Sequence, residues 1–159
     1  MFSSSLHSPI GTLLIEADED AVTGIRFIEQ ENNDQPNELS EWAKIELLAY
    51  FEGKGSNFTF PMKQEGTPFQ QGVWQELKNI QPGLPISYTE LAKRLQNPLG
   101  IRAIAATNGK NKLLIAVPCH RVIGSKGDLV GYAGELWRKG WLLNHEAQMT
   151  GIGQTSLFL

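Results

Sequence analysis

The chain has 159 residues, of which 41% are hydrophobic and 19% charged, the size of one domain or two small ones and a composition that excludes a disordered, collagen-like or coiled-coil chain. No apolar run reaches the ~18 residues that cross a bilayer, and Met1-Phe2-Ser3-Ser4-Ser5 lacks the basic-then-apolar pattern of a signal peptide, so a cytoplasmic protein with no membrane partner is expected. One cysteine and three histidines exclude an internal disulfide and a Cys-rich zinc site, and the net charge of −3 conceals two unlike halves: residues 1–65 carry 4 Lys/Arg against 12 Asp/Glu, residues 66–159 carry 10 against 5.

An acidic support domain over 1–65 and a basic working domain over 66–159 are expected from that asymmetry. The first half opens with Phe2 to Leu6, Gly11 to Ala17 and Val22 to Ile28, three runs rich in β-branched and aromatic residues separated by turn formers such as Asp18-Glu19-Asp20, which predicts a small antiparallel meander. From Glu38 to Phe51 the residues Leu39, Trp42, Ile45, Leu48 and Ala49 recur at helical spacing, and Gly53 stands where helices commonly end, so one helix covering the sheet is predicted. Asn57 to Phe60 is expected as a further edge strand, and Lys63-Gln64-Glu65-Gly66 as the linker.

The second half reads as mainly helical, giving an α+β fold class for the whole. Thr67-Pro68-Phe69-Gln70 combines an N-cap threonine, a proline at the first helical position and a glutamine three residues after the cap. Ser87-Tyr88-Thr89-Glu90 is a second capping box, and its helix is interrupted by Asn97-Pro98-Leu99-Gly100 before another begins with Ile101-Arg102-Ala103. Two short helices joined by a Pro/Gly turn have the outline of a helix-turn-helix.

The segment Leu113-Leu114-Ile115-Ala116-Val117-Pro118-Cys119-His120-Arg121-Val122 leads an apolar run into a proline, a thiol, an imidazole and a guanidinium. A lone cysteine beside apolar residues is more often an inert core position. Here the cationic neighbours are expected to favour the nucleophilic thiolate. A transcription regulator would need base-reading polar side chains after Gly100, where the chain offers alanines and one arginine. A cysteine hydrolase would turn over and would need a better placed oxyanion site.

The Pro118-Cys119-His120-Arg121-Val122 block resembles the signature of the O6-alkylguanine-DNA alkyltransferases, the methylated-DNA to protein-cysteine methyltransferases. The similarity runs in order through Thr67-Pro68-Phe69-Gln70, Val73-Trp74, Ser87-Tyr88, Arg102-Ala103, Asn111, Gly131-Tyr132-Ala133-Gly134 and Trp141 to Glu146. For residues 1–65 it implies a ribonuclease-H-like sheet and helix, and for the whole chain the stand-alone bacterial form. It implies a suicide DNA repair protein that takes an alkyl group from O6-alkylguanine, and less efficiently from O4-alkylthymine, onto Cys119 without a cofactor. It further implies that His120 and Glu146 relay the thiol proton through a water, that Tyr88 acts at the flipped nucleotide and that Asn111 locks the turn before the cysteine. Arg102 would fill the stack vacated by the base, and Ala103 would let its helix enter the minor groove of double-stranded DNA, with Tyr132 also at the DNA side. A monomer is expected, with cooperative binding on DNA left open. His145 reads as structural, and Arg121 as a buried ion pair or a cap on backbone carbonyls. Glu135 stands where the family commonly has glycine; at the start of the last helix its charge is expected to favour the helix dipole, so that Glu135→Gly would lower stability.

Overall fold

Three short runs between Phe2 and Ile28, separated by turn formers, make an antiparallel meander in the computed structural model, which describes residues 1–152. Strands β1 (Phe2–Ser8), β2 (Gly11–Ala17) and β3 (Val22–Ile28) lie in that order. Leu6 pairs with Leu13 and Ile15 with Ile25, all four buried. Helix α1 (Glu38–Phe51) starts at Asn37, whose side chain accepts from Ser40 N while the Ser40 hydroxyl accepts from Asn37 N, and Gly53 (φ +80°) follows its end.

The face that α1 buries is Ser40, Ala43, Leu47 and Tyr50, not the predicted stripe, and Trp42, Ile45 and Leu48 are exposed. Small residues decide the matter: Ser40 and Ala43 let the helix approach β1 closely, where the hydroxyls of Ser4 and Ser40 lie 2.8 Å apart. Asn57 to Phe60 form no strand. The Glu46 carboxylate accepts from Thr59 N (2.7 Å) and Thr59 Oγ1 (2.6 Å), which removes a backbone donor that a ladder would need. Pairing with β3 comes later, at Met62.

Both outer edges of the sheet are closed by isolated bridges, Gln35 against Ser3 on β1, and Met62 and Leu113 against Val22 and Ile25 on β3. The bridge at Leu113 belongs to Lys112–Ala116, which packs with Met1–Gln64 as one compact unit although Glu65–Asn111 intervenes. The expected division at residue 65/66 took no account of this return of the chain. Within it, buried Ile115 is held at φ +73°, a region β-branched residues seldom enter and one that costs about 1–3 kcal/mol.

The second unit comprises Glu65–Asn111 and the chain from Val117 on. It contains α2 (Pro68–Leu77), β4 (Ile86–Ser87), α3 (Tyr88–Arg94), α4 (Ile101–Gly109), a 3-10 turn at Cys119–Arg121, β5 (Val122–Ile123) and α5 (Leu136–Thr150). The Thr67/Gln70 capping box forms as expected. Ser87 caps α3, but Glu90 directs its carboxylate to Arg94 (3.5 Å) instead of completing a box. Trp74 Nε1 donates to Thr107 O (3.1 Å) and fixes α2 on α4. Ile86 pairs with Val122 and Ser87 with Ile123 in a parallel register, which sets the start of α3 beside the residues that follow Cys119. No helix among the described residues is long and apolar enough to cross a membrane.

Glu135 corrects a sequence expectation. It is the N-cap of α5, makes no side-chain cap bond, and sits at φ +77°, ψ +148°, a region almost reserved for glycine. Its carboxylate instead accepts from the exposed Trp137 Nε1 at 2.9 Å. In this essentially glycine-only region the strain relieved, toward the upper end of ~1–3 kcal/mol, outweighs the exposed bond, worth about 0.5 kcal/mol, and the ~0.5–1 kcal/mol of glycine's unfolded-state entropy. Glu135→Gly is therefore expected to melt higher than the parent and Glu135→Ala, which keeps the strain and loses the bond, lower. Thermal unfolding of the two variants checks this; a glycine variant melting below the alanine one would contradict it.

Candidate active site

Cys119 opens its 3-10 turn from a backbone tied on both sides. Upstream, Asn111 Nδ2 donates to Val117 O at 2.8 Å; downstream, β5 is paired to β4. The sulfur is buried, with the residue only 3% exposed. Burial pushes the thiol pKa up, opposed in part by a hydrogen bond from the Asn111 side chain and by the charge of Lys139. The thiolate expected from cationic neighbours is not what these surroundings favour: at neutral pH the thiol keeps its proton and needs a base.

The base lies next in the chain. His120 is fully buried, and its Nε2 is 2.7 Å from Glu146 Oε2. Burial lowers the His120 pKa below its ordinary value, against the pull of Glu146, so the ring is neutral at pH 7. Burial also works against the Glu146 carboxylate, but His120 and Arg121 outweigh it and hold the carboxyl well below the usual carboxylate range. An ionised carboxylate only accepts, so the hydrogen sits on His120 Nε2 and the lone pair on Nδ1. Nδ1 is buried with no hydrogen-bond partner among the described residues.

Arg121 both pairs and caps. Nε reaches Glu146 Oε1 at 2.8 Å, Nη2 reaches Oε2 at 3.0 Å, and Nη1 donates to Ile80 O at 2.7 Å. Glu146 comes from α5, where Leu142, Leu143 and Ala147 are buried beside it. The Tyr132 and His120 rings are T-shaped to each other, with centroids 6.4 Å apart, and the buried Tyr132 hydroxyl has no partner among the described residues. Burial pushes that phenol well above its ordinary pKa.

Tyr88, the first residue of α3, accepts at Oη from Asn108 Nδ2 (3.1 Å). Cys119, His120, Glu146, Asn111, Tyr88 and Tyr132 thus fall into one connected cluster. Arg102 and Ala103 are not part of it: they lie with Ala106 on the exposed face of α4, whose opposite face buries Ile104, Thr107 and Asn108. His145 stacks on Trp141 with ring centroids 4.8 Å apart.

Two members of the cluster were missed in the sequence. Lys139 is buried and donates to Val130 O (2.6 Å) and Gly131 O (3.2 Å), and burial pushes its pKa down to about 8. Its spacing of seven from Glu146, on a helical face with Leu142 and Leu143, was the available signal. Asn108 had none, because its partners are distant in sequence.

Residues 1–64 match the model of the 6-O-methylguanine DNA methyltransferase ribonuclease-like domain, and residues 68–148 that of the 6-O-methylguanine DNA methyltransferase DNA binding domain. The constitutive methylated-DNA–protein-cysteine methyltransferase of Bacillus subtilis is 40% identical over 91% of this chain and 94% of its own length. The methylated-DNA–protein-cysteine methyltransferase of Methanosarcina acetivorans is 38% identical over 92% and 98%. The structure of Mycobacterium tuberculosis OGT in complex with DNA matches with a TM-score of 0.85 at 35% identity, covering 99% of both chains. With both parts of the chain matched in order, and its lone thiol set beside a neutral imidazole that an ionised carboxylate orients, the chain belongs to the 6-O-methylguanine DNA methyltransferase family.

Proposed function

We propose that the chain repairs DNA by moving the alkyl group of O6-alkylguanine, and less readily that of O4-alkylthymine, onto Cys119 in one irreversible turnover. The observation that carries this reading is the buried, protonated thiol one residue from a neutral His120 whose tautomer Glu146 sets. The Cys119 sulfur bonds the alkyl carbon, and the C–O6 bond breaks with its electron pair going to the base. The proton lost by sulfur passes through a water to His120 Nδ1, and one proton gained by the base balances it. Regenerating the thiol would require a nucleophile to displace the Cys119 thiolate from the alkyl carbon of an unactivated thioether, for which it is too poor a leaving group, so each molecule acts once.

Supporting roles follow from position. Asn111 holds the backbone that leads to the cysteine. Tyr88 hydrogen-bonds the extruded base, and Tyr132 walls the same pocket beside His120. The exposed small residues Ala103 and Ala106 let α4 approach the floor of the minor groove of double-stranded DNA, and Arg102 fills the stack when the base leaves.

Incubation with a duplex carrying a labelled O6-methyl group should place one label per chain on the peptide containing Cys119; label on another residue, or continued turnover, would contradict the reading. Because only a duplex requires extrusion, Arg102→Ala should slow transfer from methylated duplex by ~10-fold or more, a modest share of the few kcal/mol that flipping costs. Reaction with free O6-methylguanine base should be unchanged. Equal losses on both substrates would assign Arg102 to the fold.

A further inference from the structure

We propose that Asn108 is a positioning residue that fixes the direction of the Tyr88 hydroxyl hydrogen while anchoring the backbone of the acceptor cysteine. Its Nδ2 lies 3.1 Å from Tyr88 Oη and 3.3 Å from Cys119 O, and the residue is only 4% exposed. A carbonyl oxygen carries no hydrogen, so the amide group that faces Cys119 O must be the NH2, and the orientation of the Asn108 side chain is thereby set. Its two hydrogens then serve one partner each. Tyr88 Oη accepts, and its own O–H is left to donate elsewhere.

That polarity matters for a base whose ring nitrogens present lone pairs. Burial holds the Tyr88 phenol above its ordinary pKa, with Asn108 opposing, so the hydroxyl keeps its hydrogen at neutral pH and offers it as a donor. One side chain on α4 therefore ties the first residue of α3 to the carbonyl of the alkyl acceptor and aims the phenol outward. Asn108 Oδ1 is buried with no partner among the described residues, a cost that a residue serving packing alone would shed by becoming apolar.

The proposal rests on the reading of Tyr88 as a group that contacts the base, and a double-mutant cycle separates the two. Tyr88→Phe should slow transfer from methylated duplex. Asn108→Leu, branched like asparagine at Cγ and free of the unsatisfied oxygen, should slow it about tenfold while still melting cooperatively as a folded protein, yet by less than about twofold when added to Tyr88→Phe. Asn108→Asp keeps the shape but replaces the donor with an acceptor that turns the phenol hydrogen inward, and should lose as much as Asn108→Leu. Losses that multiply in the double variant, or an Asn108→Leu protein that reacts like the parent while Tyr88→Phe is slow, would overturn the Asn108 role alone. A Tyr88→Phe protein of parental rate would overturn the reading of Tyr88, and the Asn108 role with it.

Discussion

Cys119→Ser should transfer no measurable alkyl group while binding methylated duplex with close to parental affinity. A hydroxyl in the same place is a far weaker nucleophile than a thiol, and its proton is far harder to remove where burial already raises the thiol pKa. The pH dependence carries the same logic. Since His120 is pushed below its ordinary pKa and Cys119 above its own, the parental rate should be level across neutral pH, falling on the acid side as His120 takes up a proton. Single-turnover rates from pH 5 to 9 test this; a rate rising tenfold for each pH unit through neutrality would mean that free thiolate, not the His120-assisted thiol, is the reacting form.

Glu146→Gln should cost both stability and rate. The parental carboxylate accepts one hydrogen bond from His120 and two from Arg121, at 2.7, 2.8 and 3.0 Å, inside a fully buried site. Removing its charge leaves the Arg121 guanidinium uncompensated, and breaking a buried pair of this kind costs ~3 kcal/mol or more. An amide NH2 can also face His120 Nε2 and reverse its tautomer, which takes the lone pair from Nδ1, so transfer should fall by ~10²-fold or more. The acid limb of stability supplies an independent sign. A carboxyl held below its ordinary pKa adds stability above that ordinary value and loses it as pH falls toward the folded-state value. Melting temperature should therefore drop less steeply below pH ~5 in Glu146→Gln than in the parent. A folded variant with the parental transfer rate would remove His120 and Glu146 from the chemistry.

What the sequence disclosed follows a physical division. Elements bounded by local chemistry were legible: Thr67 and Ser87 cap the helices they announce, and the turns on either side of Gly11 to Ala17 delimit β2 as read. Choices between competing faces were not. The apolar labels on Trp42, Ile45 and Leu48 outweighed the small residues Ser40 and Ala43, whose size sets how closely α1 approaches β1. Charge state was also misread, because an adjacent histidine and arginine look cationic in a string of letters, whereas burial neutralises His120 and Glu146 engages Arg121. Asn108 acts across 20 residues to Tyr88 and 11 to Cys119, and Glu135 through a backbone angle, neither of which any local pattern encodes.

The return of Lys112–Ala116 to the sheet has a bearing on how the chain folds. Ile25 N donates to Lys112 O and Leu114 N to Ile25 O, so the outer edge of β3 is completed only after most of the chain has been made. A ribosome-bound or truncated segment ending near residue 64 leaves the outward N–H and C=O of Ile25 without their partners, a short open stretch of edge that could template another strand. Pairings distant in sequence close more slowly than local ones, so the β1–β2–β3 pairings are expected to precede the return of Lys112–Ala116. The strained Ile115 lies in that returning segment, so its backbone cost falls on the step that closes the edge.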